Sequence, residues 1–247
     1  MRGTVASRVT PYPEALDWVR NLVSLAFILL LPFLLISTSL RSVVTDRDFL
    51  IRGFQDNDVS ATTGLDQPQL ERIADAFVAY FQAPPGQIQM QVTVRGQSRL
   101  LFNDREVAHM EDVQGLIQFF LRMGLVASMV IVLRLAFVVI FDRSPTPLGR
   151  EMLWSTALIV ALVVLVAVLS LIDFDGLWIR FHQIAFRNDL WELDPSRDYL
   201  IMLFPEPFWF TATIRMATLM TVQTVVVGLL GVGLLLSARF LRPGVGA

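Results

Sequence analysis

Cysteine and lysine are both missing from this sequence of 247 residues, so all 20 of its basic residues are arginine. The absence of cysteine excludes disulfides, a thiol nucleophile and cysteine-ligated zinc or iron–sulfur centres. The absence of lysine excludes Schiff-base chemistry and a P-loop lysine. Only two histidines occur, and the formal net charge of −2 provides no basic surface for nucleic acid. The motifs G-x-S-x-G and H-E-x-x-H are missing as well, which argues against an orthodox serine hydrolase or a zincin.

Charged residues are few. They make up 17% of the sequence against 54% hydrophobic residues, whereas a soluble domain usually carries about 25% charged residues. Four stretches are almost uncharged and long enough to cross a hydrocarbon core of about 30 Å as helices. We therefore predict an α-helical integral membrane protein with four transmembrane helices. The predicted spans are residues 21–40, 115–141, 152–172 and 209–238.

The arginines near the span ends indicate an orientation, because cytoplasmic loops carry an excess of positive charge. With four spans, the tail 1–20, the turn 142–151 and the tail 239–247 lie on one side. We therefore predict that both termini are cytoplasmic and that the first span is an uncleaved anchor. Segments 41–114 and 173–208 then face outward, although the second also holds arginines. The arginines that carry the prediction are Arg2, Arg8, Arg20, Arg143, Arg150, Arg239 and Arg242.

The outward segment between the first two spans is predicted to form a small extracytoplasmic α+β domain. Asp66, followed by a proline in the first turn, marks a helix start, and apolar residues then recur at helical spacing as far as Phe81. Alternating apolar and polar residues over 88–94 predict a half-buried strand. Residues 95–98 are expected to turn the chain, so that 99–102 pairs back to form a hairpin.

Each histidine lies in a polar segment next to a predicted span. Asn103 and Glu106 form a capping box for the helix that carries His109, and Asp112 follows three residues later on a neighbouring part of the same face. The second outward segment is rich in aromatic residues, which is typical of the membrane–water interface. His182 fits a short helix lying in that plane. The other residues of this interfacial helix are Trp178, Phe181 and Ala185.

Other polar and small residues near the spans have structural interpretations. Asp194, followed by proline, predicts another helix start. Arg122 is expected to snorkel to the outer headgroups and Arg134 to the inner ones, because a charge within hydrocarbon costs about 2.5–3.5 kcal/mol. Arg215 belongs to a polar stripe, with Thr211, Thr218 and either Thr221 or Val222, that we expect to face protein or a cavity. There it would bind an anionic headgroup or stabilise an oxyanion. The glycines expected to permit close helix packing are Gly228, Gly231 and Gly233.

The two histidines are the strongest candidates for chemistry, since imidazole is the side chain best suited to proton transfer near neutral pH. We expect both at the level of the outer headgroups. A metal site built from His109, His182 and either Asp112 or Glu106 is an alternative, because two histidines with a carboxylate are a known ligand set. A metal-free pair is favoured, since no span carries a dense cluster of ligands. A non-catalytic membrane adaptor is the alternative from another class.

Two sequence strings resemble the signatures of a known family. The first is R-E-x-x-H-M-x-D-V, found here at residues 105–113. The second is FHQIAFRNDLWELDP at 181–195, which continues as LIMLFPEPFW at 200–209. Together with four spans, these strings resemble the bacterial membrane family of the lipoprotein intramolecular transacylase, Lit.

The resemblance implies an acyltransferase at the outer face of the bacterial cytoplasmic membrane. It would move the sn-2 acyl chain of a diacylglyceryl-cysteine lipoprotein to the α-amino nitrogen of that cysteine. By motif match its catalytic residues are His109 and His182, and which of them is the base stays open. The expected partners are a diacylated lipoprotein N-terminus and membrane lipid, with no cofactor and no metal. Residues expected to support or orient the histidines are Glu106, Asp112, Asn188, Asp194 and Arg215. Those expected to bind substrate or headgroups are Arg122, Arg215, Trp178 and Trp191.

Overall fold

The computed structural model describes residues 14–142 and 144–240. Most of the two predicted tails therefore lies outside the described residues, as do Arg2, Arg8, Arg143, Arg242 and the side chain of Arg239. In chain order the elements are α1 (Glu14–Val44), α2 (Arg47–Asp56), α3 (Val59–Thr63), α4 (Gln67–Gln82), β1 (Gln91–Val94), β2 (Gln97–Leu100), α5 (Asp104–Phe137), a π-helical turn (Val138–Asp142), α6 (Thr146–Ile172), α7 (Phe174–Ala185), α8 (Tyr199–Leu203) and α9 (Glu206–Phe240).

Among the described residues, four helices are long and apolar enough to cross a membrane, namely α1, α5, α6 and α9. Their outer faces are strongly apolar: on α5 alone, Leu125, Met129 and Val132 are each about two-thirds exposed. Such large exposed apolar faces suit contact with lipid rather than water. The helices run past the predicted spans, and because α6 begins at Thr146, part of the predicted turn 142–151 is helical.

The bundle is built on α1, which packs against α5, α6 and α9, while α6 also packs against α9. Gly149 of α6 faces Gly231 of α9 so closely that a Cβ on either would lie 2.9 or 3.1 Å from the other's carbonyl oxygen. A Cβ added at Gly228 would lie 3.3 Å from the Cγ2 atom of Thr156. The predicted packing role is therefore confirmed for these two glycines of α9. It is wrong for Gly233, where an added Cβ would meet nothing within 4 Å.

Arg134 does not snorkel to the headgroups, which corrects the prediction. Its side chain is 0% exposed, and its Nε and Nη2 each donate to the Glu151 carboxylate at 2.7 Å. Its Nη1 donates to Asp142 at 2.8 Å, and Ser24 donates to Glu151 at 2.7 Å. A buried guanidinium is tolerated when paired carboxylates satisfy its donors. This cluster therefore ties α1, α5 and α6 together at one end of the bundle.

The segment between α1 and α5 shares its hydrophobic core with a later part of the chain. Helix α2 packs against α4, and α3 packs against α8. Phe54, Phe77 and Leu101 are buried in one cluster with Leu203 and Phe208, which belong to α8 and α9. A segment of this length would be only marginally stable on its own. The helices and hairpin are present, but they form one unit with the segment that follows α7.

The hairpin is tighter than predicted. Strands β1 and β2 are antiparallel and joined by Arg95 and Gly96 alone, which have φ angles of 51° and 80°. Two successive positive φ angles define the two-residue turn that matches the twist of a hairpin. The predicted strand 88–94 is therefore too long, and the predicted turn 95–98 is wrong at its end, since Gln97 already pairs with β1.

Two of the three predicted helix starts are confirmed. Asp66 accepts a hydrogen bond of 2.9 Å from the amide three residues on, and Asn103 with Glu106 forms both halves of a capping box. The prediction for Asp194 is wrong. This residue accepts from the amide two residues on, within a turn, and the next helix begins only at Tyr199.

The threonines of the polar stripe on α9 do not face protein. Thr211, Thr218 and Thr221 are exposed, and each hydroxyl donates to the carbonyl one turn earlier in its own helix. This correction has a simple reason: a threonine satisfies its hydroxyl within a helix and so needs no polar neighbour. The polar contact between α1 and α9 lies elsewhere, where Gln223 donates to Ser39 at 2.9 Å.

Candidate active site

The two histidines, distant in sequence, lie side by side in the structure. His109 projects from the second turn of α5 and His182 from the last turn of α7. Their ring centroids are 6.0 Å apart and the rings are inclined by 36°. Only 6% of His109 and 7% of His182 is exposed. The fold thus buries both imidazoles of the chain in one place.

Aromatic rings enclose the pair. The Phe186 ring lies 5.1 Å from His109 and 5.5 Å from His182. Trp178 presents its ring edge-to-face to His182 at 4.6 Å, and the Trp191 ring lies at 5.1 Å. The two tryptophans, which the sequence assigns to substrate or headgroups, therefore contact a histidine directly. These apolar surroundings disfavour charged imidazole.

His182 is held in one neutral tautomer by its own helix. Its Nδ1 lies 2.8 Å from the carbonyl oxygen of Trp178, and because a carbonyl only accepts, Nδ1 carries the proton and Nε2 is left as an acceptor. Burial lowers the pKa of His182 below its usual value of 6.5, although this hydrogen bond acts in the opposite direction. His182 is therefore a neutral base near neutral pH.

His109 has an unused ring nitrogen. Its Nδ1 is buried and has no hydrogen-bond partner among the described residues. Leaving a buried polar atom unpaired costs about 1–3 kcal/mol, and such atoms are rare in folded proteins. The ring therefore has hydrogen-bonding capacity that a ligand group would use.

A chain of hydrogen bonds joins the surroundings of the two histidines. Asn188 donates through Nδ2 to Oδ2 of Asp112 at 2.9 Å, and its carbonyl accepts from Trp191 Nε1 at 3.0 Å. Asp112 lies one helical turn after His109, while Trp191 contacts His182. Asn188 thus positions one residue next to each histidine.

A cavity of about 340 Å³ adjoins the pair. The histidines are not among its lining residues. The cavity lies next to them because it is lined by Phe186, whose ring contacts both. Its lining combines apolar side chains with a carboxylate, an amide and a guanidinium. The lining residues are Asp112, Leu116, Ala185, Phe186, Arg187 and Asn188.

Glu106 is buried, but its carboxylate serves the backbone. One oxygen accepts from the amide of Leu200 at 2.6 Å and the other from the amide of Asn103 at 2.8 Å. Asp198, which the sequence interpretation missed, completes the junction by accepting from Asn103 Nδ2 at 2.9 Å and from the Asp194 amide at 2.7 Å. No sequence signal marks Asp198, because Asn103 lies 95 positions away. These carboxylates fasten the segment after α7 to the start of α5.

Arg105, next to Glu106 in the first string, fastens the same segment. Its guanidinium donates to the carbonyl oxygens of Asp189 and Leu190, the latter at 3.4 Å. Both carbonyls belong to the second string, directly after Asn188. Arg105 and Glu106, both in the first sequence string, therefore bind backbone groups of the second. These hydrogen bonds hold the segment that carries His182 against the start of α5, which carries His109.

The predicted headgroup arginines have other partners. Arg215 forms an ion pair with Asp46, and its guanidinium lies 4.6 Å above the ring of Phe49. Burial raises the pKa of Asp46, but hydrogen bonds from Arg215 and the Phe49 amide outweigh it, so the net pKa is lowered. Arg122 is exposed and donates to Gln118 at 3.2 Å. Within the described residues, neither arginine contacts a histidine.

The carboxylates considered for a metal site are engaged differently. Asp112 is turned to Asn188 and Glu106 to two amides. Over residues 14–142 and 144–240, no group of three or more His, Cys, Asp or Glu side chains is arranged to hold a metal ion.

The fold and the site define a class first: a multi-pass integral membrane protein with a buried histidine pair, of which His109 lies in the second turn of the apolar helix α5. The family model for the lipoprotein intramolecular transacylase Lit matches residues 25–209. The matched region contains both histidines and all residues that join them. This chain belongs to the Lit family.

Similar proteins are known from two bacteria. An uncharacterized protein of Aquifex aeolicus (strain VF5) is 23% identical over 224 residues, covering 91% of this chain and 98% of that protein. The structure of the membrane integral lipoprotein intramolecular transacylase Lit from Bacillus cereus matches with a TM-score of 0.76 and 16% identity, over 91% of this chain and 99% of that one. A variant of the Bacillus cereus protein with one histidine changed to alanine matches with a TM-score of 0.70 and 16% identity, over 92% and 98%. The fold is shared over nearly the whole length.

Proposed function

We propose that this chain is a lipoprotein intramolecular transacylase that moves the sn-2 acyl chain of a diacylglyceryl-cysteine to the α-amino nitrogen of the same residue. Membership of the Lit family supports this activity. The observation that carries the proposal is the burial of His109 and His182 with their rings 6.0 Å apart. Because amine and ester belong to one substrate molecule, the enzyme needs mainly to fold that molecule and move protons.

The reaction forms a bond between the amine nitrogen and the acyl carbonyl carbon, and it breaks the bond from that carbon to the sn-2 glycerol oxygen. An α-amino group has a reference pKa of about 8, so it binds largely as ammonium at neutral pH. One proton is then released to solvent. The second leaves the nitrogen as the new bond forms and ends on the glycerol oxygen. The products are an amide and a free sn-2 hydroxyl group, with no change of oxidation state.

His182 is assigned the role of proton carrier. Its Nδ1–H is committed to the Trp178 carbonyl, so its Nε2 is the atom that takes the proton from the attacking amine and delivers it to the departing glycerol oxygen. His109 is assigned to the carbonyl oxygen, since its unpartnered ring nitrogen can donate a hydrogen bond as that oxygen becomes negative.

The histidine site is proposed to face outward from the bacterial cytoplasmic membrane, with both termini cytoplasmic. The contact between Ser24 and Glu151 places the starts of α1 and α6 at one end of the bundle. Arg20 and Arg150 lie beside those two residues, at the end away from α7 and the histidines. Positive charge favours the cytoplasmic side. The substrate is then a diacylated lipoprotein N-terminus whose acyl chains remain in the bilayer.

Fragmentation mass spectrometry of lipoprotein N-termini tests the proposal, using cells with and without this gene. Transfer within one molecule leaves the mass unchanged, so the readout is the position of the acyl group on nitrogen. The wild-type chain should produce the N-acyl form, and His109→Ala and His182→Ala should produce far less of it. Glu111→Gln, an exposed neighbour on α5, serves as the matched control and should behave as wild type.

Three outcomes would contradict this proposal. An N-acyl product at the wild-type level from either histidine variant would reject the pair. A product lighter by one fatty acid, with activity lost on adding chelator, would indicate a metal-dependent hydrolase. An unchanged substrate together with a phenotype that survives loss of both histidines would indicate an adaptor.

A further inference from the structure

The cavity beside the histidine pair contains a carboxylate that the proton transfers described above do not use. We propose that Asp112 binds the α-ammonium group of the substrate's N-terminal residue, with Asn188 as its positioning residue. This inference rests on the proposed function and specifies where the reacting nitrogen is held before it attacks.

The hydrogen bonds of Asp112 leave one of its oxygens available. Oδ2 accepts from Asn188, whereas Oδ1 has no hydrogen-bond partner among the described residues. Asp112 is half-buried and lines the cavity. A carboxylate oxygen in such a place binds a primary ammonium through a charge-assisted hydrogen bond, which is stronger than a neutral one.

Asn188 is fully committed to holding this arrangement. Its side-chain NH₂ donates to Asp112, its side-chain oxygen accepts from the Leu190 amide at 3.1 Å, and its carbonyl accepts from Trp191. The amide can therefore not rotate without losing bonds on both sides. Asp112 keeps one orientation as a result, with its second oxygen free for substrate.

The other charged groups around Asp112 are compatible with an amino-acid N-terminus. His109 lies one turn earlier on the same helix and is buried among aromatic rings. Arg187 lines the same cavity from the opposite segment and makes no ion pair within the described residues, so its guanidinium is free for a carbonyl oxygen. Arg105, one turn before His109, already donates to two backbone carbonyls. An N-terminal residue offers the required pair, an ammonium followed by a carbonyl.

The apolar part of the cavity places this nitrogen next to the reaction. Leu116, Ala185 and Phe186 line the cavity together with Asp112, and the Phe186 ring contacts both histidines. Apolar lining suits the hydrocarbon part of a glyceryl-cysteine. The amine of phosphatidylethanolamine has the same ammonium chemistry, but its neighbouring group is a phosphate rather than a peptide carbonyl, so the two sources can be separated by experiment.

Binding is measured first, with the full-length chain in detergent and two diacylated lipopeptides, one with a free α-amine and one N-acetylated. Wild type should bind the free amine about tenfold more tightly, and Asp112→Asn should bind both alike. Asp112→Glu, which keeps the carboxylate, and Glu111→Gln should retain a preference. Equal binding of both lipopeptides by wild type, or a preference that survives in Asp112→Asn, overturns the proposal. Displacement of the lipopeptide by phosphatidylethanolamine vesicles at equal concentration overturns it as well.

Kinetics separate this role from the orienting of His109. Asp112→Asn should raise KM about tenfold with little change in kcat on the alkaline plateau. It should also shift the acidic limb of kcat to lower pH, because a nearby carboxylate raises the pKa of a bound ammonium. A fall in kcat at constant KM overturns the assignment. If wild type makes no N-acyl product and yet loses its amine preference in Asp112→Asn, the proposed function fails while the ammonium site stands.

Discussion

Helix α5 buries an ionisable group near each end, His109 and Arg134. The two groups differ in how far their surroundings satisfy their hydrogen bonds. His109 and Arg134 are 25 positions apart, which is about 38 Å along a helix and exceeds the thickness of a hydrocarbon core of about 30 Å. Arg134 donates to two carboxylates at 2.7–2.8 Å. His109 has a buried ring nitrogen without a partner among the described residues. One end is saturated with hydrogen bonds and the other is not.

This difference separates structural from chemical roles. A saturated network such as that of Arg134 and Glu151 gains nothing from a ligand and loses much when one member is removed. An unsaturated site such as that of His109 has already incurred the cost of burial and gains when substrate supplies the missing partner. Substitutions at the two ends of α5 should therefore affect different measurements: activity at the histidine end and stability at the arginine end.

The largest expected effect is on activity. His182→Ala should lower kcat about 10²–10⁴-fold, the usual contribution of a proton-transfer group. His109→Ala should lower it about 10²–10³-fold, as for a lost oxyanion donor. The double variant should lose little more, because both groups act in one step. The readouts are initial rates and unfolding temperature in detergent. Multiplicative losses, or a large drop in unfolding temperature, would show that the rings act separately or structurally.

The largest effect on stability is expected at the other end. Arg134→Met leaves the buried carboxylates of Glu151 and Asp142 without their cation, which typically costs about 3–5 kcal/mol. Arg122→Met on the same helix is the matched control, because Arg122 is exposed with one hydrogen bond and should change stability by less than about 1 kcal/mol. Denaturant unfolding in detergent measures both. Equal stability of the two variants would show that the buried ion pairs of Arg134 do not stabilise this end of α5.

The sequence predicts the histidine end better than the arginine end. Rarity, polar neighbours and the two strings all mark His109 and His182, so that they can be selected without coordinates. For Arg134, a hydropathy profile considers one charge at a time. A single arginine near a span end is then expected to extend its side chain to the headgroups, because this avoids burying an unpaired charge. Its partner Glu151 lies in a predicted loop that is in fact the second turn of α6, so the pairing is invisible until two helices are placed side by side.

Long-range contacts account for the other differences. The capping box of Asn103 and Glu106 is local and is predicted correctly. The further bond from Glu106 to the Leu200 amide spans 94 positions, and the shared core of Phe77 with Leu203 spans more. No local pattern encodes either contact. The predicted small domain is therefore part of a larger unit made from two distant segments.

The pH dependence of the reaction tests the electrostatics of the histidine end. Log kcat/KM should fall by about one unit per pH unit below the pKa of the free substrate amine, about 8. Any further steepening should begin only below pH 6.5, because burial lowers the pKa of His182 below that value. The free energy of unfolding should fall with pH as well. The His182 ring takes up a proton at higher pH in the unfolded chain than in the folded one, so stability declines as pH falls below 6.5. A second break at or above pH 6.5 would contradict the burial argument.

The smallest expected effect concerns backbone packing between α6 and α9, at Gly149, two positions from Glu151 on α6. Gly149→Ala would place a Cβ 2.9 Å from the carbonyl oxygen of Gly231, so the helices must separate, at a typical cost of about 1–3 kcal/mol. Gly233→Ala on α9 is the matched control: its Cβ meets nothing within 4 Å, and alanine favours a helix by about 1 kcal/mol over glycine. The two substitutions should therefore shift the unfolding transition in opposite directions while leaving kcat unchanged. Equal shifts would mean that intrinsic helix propensity, rather than contact between α6 and α9, decides the stability of this part of the bundle.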